Sequence, residues 1–168
     1  MMANRSAPRG TIIPSLIYDD VAQAIDWLCD VFGFQERLRV AGGDGKVGHA
    51  QLAIGQGADQ GGVMLGASRI GQGSGWSDSA EFRPPRPTEV SQVLLVRVED
   101  VDAHYEHAKL RGARILHPPT TYPYGERQYT AQDLAGHRWS FSQSVADVKP
   151  EEWGAMVTQP SGSPINRA

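Results

Sequence analysis

His49 and Gln51 stand two residues apart in Val47 to Ile54, a stretch whose composition predicts a β-strand. Residues two apart on a strand share a face. An imidazole and a carboxamide therefore look the same way. Together they could hydrogen-bond a ligand, and the imidazole could also take a proton as a general base. The plainer alternative is a polar wall in contact with water. Arg97 interrupts an apolar run, Val93 to Val98. A guanidinium there needs a partner: an anionic group of a ligand, a carboxylate such as Glu126, or solvent at the strand end. Tyr124, Arg127 and Tyr129 lie at or beside a later strand, where tyrosines either serve a flat ligand or are ordinary strand residues.

Other candidates carry less. His104 and His107 are three apart on a predicted helix, a spacing that can chelate, but no third ligand stands near them in the sequence. Cys29 has no neighbour that would activate a thiol and reads as a small, partly buried filler. His117 and His137 fall in turns and are expected to be solvated. No nucleophile elbow is present. Gly55-Gln56-Gly57 and Gly71-Gln72-Gly73 lack the further glycine and lysine of a phosphate loop.

The elements that must position these residues repeat. Residues 1–10 read as a flexible arm. Residues 11–66 read as strand, helix and three strands. Asp19 or Asp20 caps the helix, Val21, Ala24, Ile25, Leu28 and Phe32 form its apolar face, and Gly33 ends it. Residues 67–90 are rich in Gly and Ser, then in Arg and Pro, and read as a linker or lid carrying Trp76. Residues 91–144 repeat the first pattern, with a break expected at His117-Pro118-Pro119. Asp20-Val21 recurs as Asp100-Val101, and Gly33-Phe34 recurs as Gly112-Ala113 one residue out of step. Residues 145–168 form an extension whose end reads as disordered. The expected fold class is α+β: two paired βαβββ modules forming a half-barrel around a cavity, with the helices outside.

Totals narrow the function classes. The chain has 168 residues, 40% hydrophobic and 21% charged, enough for one ordinary core. A formal net charge of −3 argues against nucleic acid. No apolar run reaches the length of a membrane helix. One cysteine excludes an intrachain disulfide, and nothing near the N-terminus resembles a signal core, so a cytoplasmic address is expected.

Three motifs carry a family resemblance: Leu16 to Leu28 with Val31-Phe32-Gly33-Phe34, Val96 to Ala103 with Gly112-Ala113, and Asp133-Leu134-Ala135-Gly136-His137-Arg138-Trp139 before the last strand. In these the sequence resembles the vicinal oxygen chelate superfamily: glyoxalase I, bleomycin-resistance proteins and extradiol dioxygenases. Leu134 departs from that family's usual proline. The resemblance implies a cavity with up to four metal-ligand positions, here occupied by Ile13, Gln51, Val93 and Ser140. It also implies that Ser15, His49, Leu95, Arg97, Arg138 and Ser142 face the cavity, while Leu16, Leu94, Val96, Trp139 and Phe141 face the helices. Ile13 and Val93 offer no lone pair, so neither a metal nor another cofactor is expected.

The resemblance therefore implies a small-molecule binding protein of the bleomycin-resistance type, forming a homodimer, with no nucleic-acid or membrane partner. It would sequester an amphipathic ligand through Ser15, His49, Gln51, Arg97, Tyr129 and Ser140, with no catalytic residue assigned. The alternative is a metal-dependent lyase, isomerase or dioxygenase of the same superfamily with displaced ligands, His49 among them.

Overall fold

A computed structural model describes residues 5–8, 10–57, 60–68 and 82–157. Trp76 and the end of the C-terminal extension lie outside the described residues. The element order is β1 (Ser15–Tyr18), α1 (Val21–Phe32), β2 (Gln35–Ala41), β3 (Val47–Ile54) and β4 (Gly61–Ala67). After the linker come β5 (Val93–Arg97), α2 (Val101–Leu110), β6 (Arg114–Thr121), β7 (Glu126–Gln132) and β8 (Arg138–Ser144). Two βαβββ modules are therefore present. Each makes one four-stranded mixed sheet, ordered β1-β4-β3-β2 and β5-β8-β7-β6. Among the described residues the parallel pairs are β1 with β4 and β5 with β8, so the repeat seen in the sequence is a repeat of topology. The two sheets do not join into a closed barrel.

Local sequence explains the helices. Asp20 and Asp100 each accept a backbone N–H at 2.9 Å, from Gln23 and Ala103, and so cap α1 and α2. Gly33 ends α1 at φ 71, a left-handed conformation that costs glycine little. The apolar face of α1 is buried throughout, whereas α2 buries only Val101 and Ala108.

Alternation along the strands gives each sheet one buried and one open face. Leu16, Ala50, Leu52, Val63 and Leu65 of the first sheet and Tyr129, Ala131, Trp139 and Phe141 of the second join α1 and α2 in one continuous core. Phe32 at the end of α1 packs on Phe141 and Trp139, with ring centroids 4.8 and 5.8 Å apart. The modules thus meet through their helix-bearing faces. Polar ties reinforce the seam. His104 of α2 contacts the Phe32 carbonyl and the Tyr129 hydroxyl, His107 contacts the Asp30 carbonyl, and Arg111 pairs with the Asp30 carboxylate. A carbonyl can only accept, so His104 carries its proton on Nε2 and its Nδ1 accepts from Tyr129.

The strongest tie is Asp133, 5% exposed, in the turn before β8. Its carboxylate accepts from the Tyr18 hydroxyl of the other module at 2.7 Å, the Trp139 indole at 3.0 Å, and the backbone N–H groups of Ala135 and His137. Burial, then the neighbouring Asp133 charge, pushes the Tyr18 phenol well above its ordinary pKa, which keeps it a donor.

Two expectations are corrected. The strand β6 runs through His117-Pro118-Pro119 instead of breaking there. It is a sheet edge, where proline's missing N–H is tolerated, and its pairing to β7 shifts register between His117 and Thr120. His137 is buried rather than solvated, because its turn packs onto β1 and its Nε2 contacts the Ile17 carbonyl at 2.9 Å.

Removing the Asp133 carboxylate leaves two buried side-chain donors unpaired. Asp133→Ala is expected to cost about 3 kcal/mol or more, and Tyr18→Phe about 1 kcal/mol, by urea unfolding. Burial, opposed by the Phe32 carbonyl, lowers the His104 pKa. The unfolded chain therefore binds this proton more readily than the folded one. Stability should fall as pH drops below about 6.5, the ordinary histidine value. In His104→Gln that part of the slope should vanish from unfolding curves taken between pH 5 and 7.

Candidate ligand-binding site

The open faces carry the candidate residues. On the first sheet, pairing aligns Ser15, Met64, Gln51 and Leu38 in one row and Ile17, Gly66, His49 and Val40 in the next. On the second, Val93 aligns with Arg138, Leu95 with Ser140, and Arg97 with Ser142. Val93 and Leu95 are 57% and 55% exposed, a large apolar area for open strand positions.

Five of the six candidates stand on these open faces. Tyr129 does not: it is paired with Phe141 in the core, and its hydroxyl is spent on His104. It is withdrawn as a ligand contact. Arg97 takes the carboxylate option, lying 3.4 Å from Glu126 and 2.9 Å from the Ser144 hydroxyl. Glu126 also accepts from Ser142 and Ser144. These two bonds, ahead of Arg97, hold its carboxyl below the usual range. Among the described residues His49 makes no side-chain hydrogen bond of its own.

Two clefts among the described residues divide these candidates instead of gathering them. Ser15 and Ile17 line a cleft of about 300 Å³ with His137 and linker residues between Arg83 and Gln92. Arg97, Val93 and Leu95 line a groove of about 610 Å³ that runs to Ile12, Phe34 and Gly62. Gln51 and His49 belong to neither.

The sequence reading missed Arg37. Strand β2 carries a bulge between Glu36 and Leu38, so Arg37 has no partner on β3. A bulge re-aims its side chain, and Arg37 Nη1 donates to Gln51 Oε1 at 2.7 Å. Gln51 Nε2 donates to the Ser6 carbonyl at 2.8 Å, and Arg37 Nη2 to the Arg5 carbonyl at 3.3 Å. The N-terminal arm therefore lies across Gln51, which is only 4% exposed, and Pro8 of the arm is buried. The one sequence signal was an unpaired arginine in a strand that alternated poorly.

The donors do not fit a catalytic divalent ion, which needs about three ligands among His, Asp, Glu and Cys. Ile13 and Val93 offer only carbon, and the Gln51 amide is engaged at both ends. The repeat also moves one position. Ser15 pairs with Met64 as Leu95 pairs with Ser140, so the first-module counterpart of Ser140 is Met64 on β4, not Gln51 on β3. Among the described residues no three of His, Cys, Asp and Glu converge on one point. Cys29 is half-buried, and burial raises its thiol pKa, which disfavours the nucleophilic thiolate.

Comparison with known proteins fits this architecture. A family model, the Glyoxalase/Bleomycin resistance protein/Dioxygenase superfamily, matches residues 13–141, and the chain belongs to that superfamily. Uncharacterized proteins of Mycobacterium tuberculosis and Mycobacterium bovis are 31% identical over 150 residues, covering 89% of this chain and 84% and 93% of theirs. Among solved structures it is similar to TioX from Micromonospora sp. ML1 (TM-score 0.62, 32% identity, 81% of this chain and 99% of that one). It is also similar to a glyoxalase/bleomycin resistance protein from Streptomyces sp. CB03234 (TM-score 0.52, 25% identity, 78% and 97%). A superfamily member from Nocardioides, at 19% identity and TM-score 0.61 over 84% and 88%, shares the fold. No helix among the described residues is long and apolar enough to cross a membrane.

Arg97 is 69% exposed in its ion pair, so the pair adds little stability. Arg97→Ala should lower the free energy of urea unfolding by less than about 1 kcal/mol. Any loss of ligand affinity in this variant, measured by calorimetry, then reports binding rather than folding.

Proposed function

We propose that the protein is a metal-independent small-molecule binding protein that sequesters an amphipathic ligand on its open sheet faces. One observation carries this reading. Val93 and Leu95, more than half exposed, stand beside hydrogen-bonding Ser140 and Arg97 on a face that carries no metal-ligand set. Exposed apolar positions flanked by a few polar groups suit an amphipathic ligand. The open faces lie opposite the shared core, so one chain cannot close them over a ligand. A homodimer, in which a second copy brings its own open face, would supply the missing wall. The lone, half-buried Cys29 suits a cytoplasmic setting.

A thermal-shift screen of flat amphipathic compounds, with and without chelator, tests the reading. A ligand at about a hundred times its Kd adds roughly 2.7 kcal/mol to stability. Hits whose Tm shift survives chelation are expected, along with a dimer by sedimentation. Near-stoichiometric metal in the purified protein, together with a turnover that chelation abolishes, would sink it.

The enzymatic reading keeps one supporting feature: the side chain of His49 is not engaged by a described residue, and it shares its open face with Gln51. A His49→Ala variant with unchanged turnover and metal content would remove that support.

A further inference from the structure

The arm contacts on Gln51 and Arg37 have an unusual chemistry. Both acceptors are backbone carbonyl oxygens, of Arg5 and Ser6. The face therefore presents two side-chain donors, an amide N–H and a guanidinium N–H, to acyl oxygens of an extended chain. Gln51 is held in this orientation because its own oxygen is taken by Arg37. An amide flip would set its NH2 against the guanidinium, so the donor direction is fixed. Leu38 and Met64 flank Gln51 in the same row and supply apolar walls on either side.

Most of the described arm is open to solvent. Arg5, Ser6 and Ala7 are exposed, and Pro8 is the one buried ring among the described arm residues. An arm held this way excludes ligand in proportion to its occupancy and can be displaced by a better acceptor. A guanidinium bonds more strongly to a carboxylate than to a neutral carbonyl.

We propose that Arg37 and Gln51 form a binding site for acyl oxygens of an amphipathic ligand, and that residues 5–8 occupy this site as an internal competitor the ligand must displace. This rests on the small-molecule reading above and names the chemistry of its ligand: an amide, ester or carboxylate oxygen beside an apolar body.

The full-length protein tests it with dansylaminoundecanoic acid and its methyl ester as fluorescent probes, the pair separating carboxylate from neutral acyl oxygen. Pro8→Gly removes the buried ring, loosens the arm without adding a charge, and leaves Arg37 and Gln51 in place. It should bind the acid about tenfold more tightly than the unmodified chain, and adding Gln51→Leu should abolish that gain. In the unmodified chain, saturating probe should turn the amides of residues 5–7 from rigid to fast-moving in 15N relaxation. That measurement does not depend on any variant folding, and a dispersed amide spectrum checks the fold of each variant. Equal affinity in the unmodified chain and Pro8→Gly, with the amides of residues 5–7 rigid throughout, overturns the proposal. So does a freed arm that binds neither probe. If the thermal-shift screen still yields ligands after either result, the binding-protein reading stands and the acyl-oxygen site falls.

Discussion

A carboxylate removed from water must have its lone pairs met by donors, or it will not stay charged in the interior. Asp133 meets that condition with a phenol, an indole and two backbone N–H groups. The two backbone bonds shape the turn that starts β8. The indole bond orients Trp139, on which Phe32 and Phe34 pack. The phenol bond reaches the first module. One side chain thus fixes a turn, the largest buried ring and the seam between the modules. The second sheet's far face depends on it, because the same β8 that buries Trp139 and Phe141 in the core sets Ser140 on the opposite side, beside Leu95.

That seam also decides where ligand chemistry can sit. The helix-bearing faces are used up on each other, so only the opposite faces remain. Those faces carry exposed valine and leucine beside serine and arginine, a pattern that fits neither a closed core nor an ordinary wet surface. Among the described strands, β1 and β2 edge the first sheet and β5 and β6 edge the second. The homodimer proposed above would complete a site on these unclosed faces.

Much of this was legible in the sequence, for identifiable reasons. The run Val47 to Ile54 became β3 with those same bounds, and Asp20 and Asp100 cap as their type predicts. Strand parity placed Leu16, Trp139 and Phe141 toward the helices, because period-two alternation is a local property. The misreadings were all non-local. Pro118-Pro119 is compatible with a strand only because β6 is an edge. His137 is buried only because another module covers its turn. Tyr129 was set on the wrong face because nothing in its own strand marks which side meets Phe141. Arg37 reaches Gln51 through a bulge, and a bulge shows only in the register between two strands.

The arm's hold on the first sheet has a consequence for how this chain can change over generations. Its hydrogen bonds run through backbone oxygens, which every residue type possesses. Side chains at positions 5 and 6 can therefore drift widely without loosening the contact. Length is a different matter. Inserting or deleting one residue between Pro8 and Ser15 would shift the ring and both carbonyls together relative to the sheet that holds them. Selection on this segment should act as a ruler, tolerant of spelling and strict about spacing.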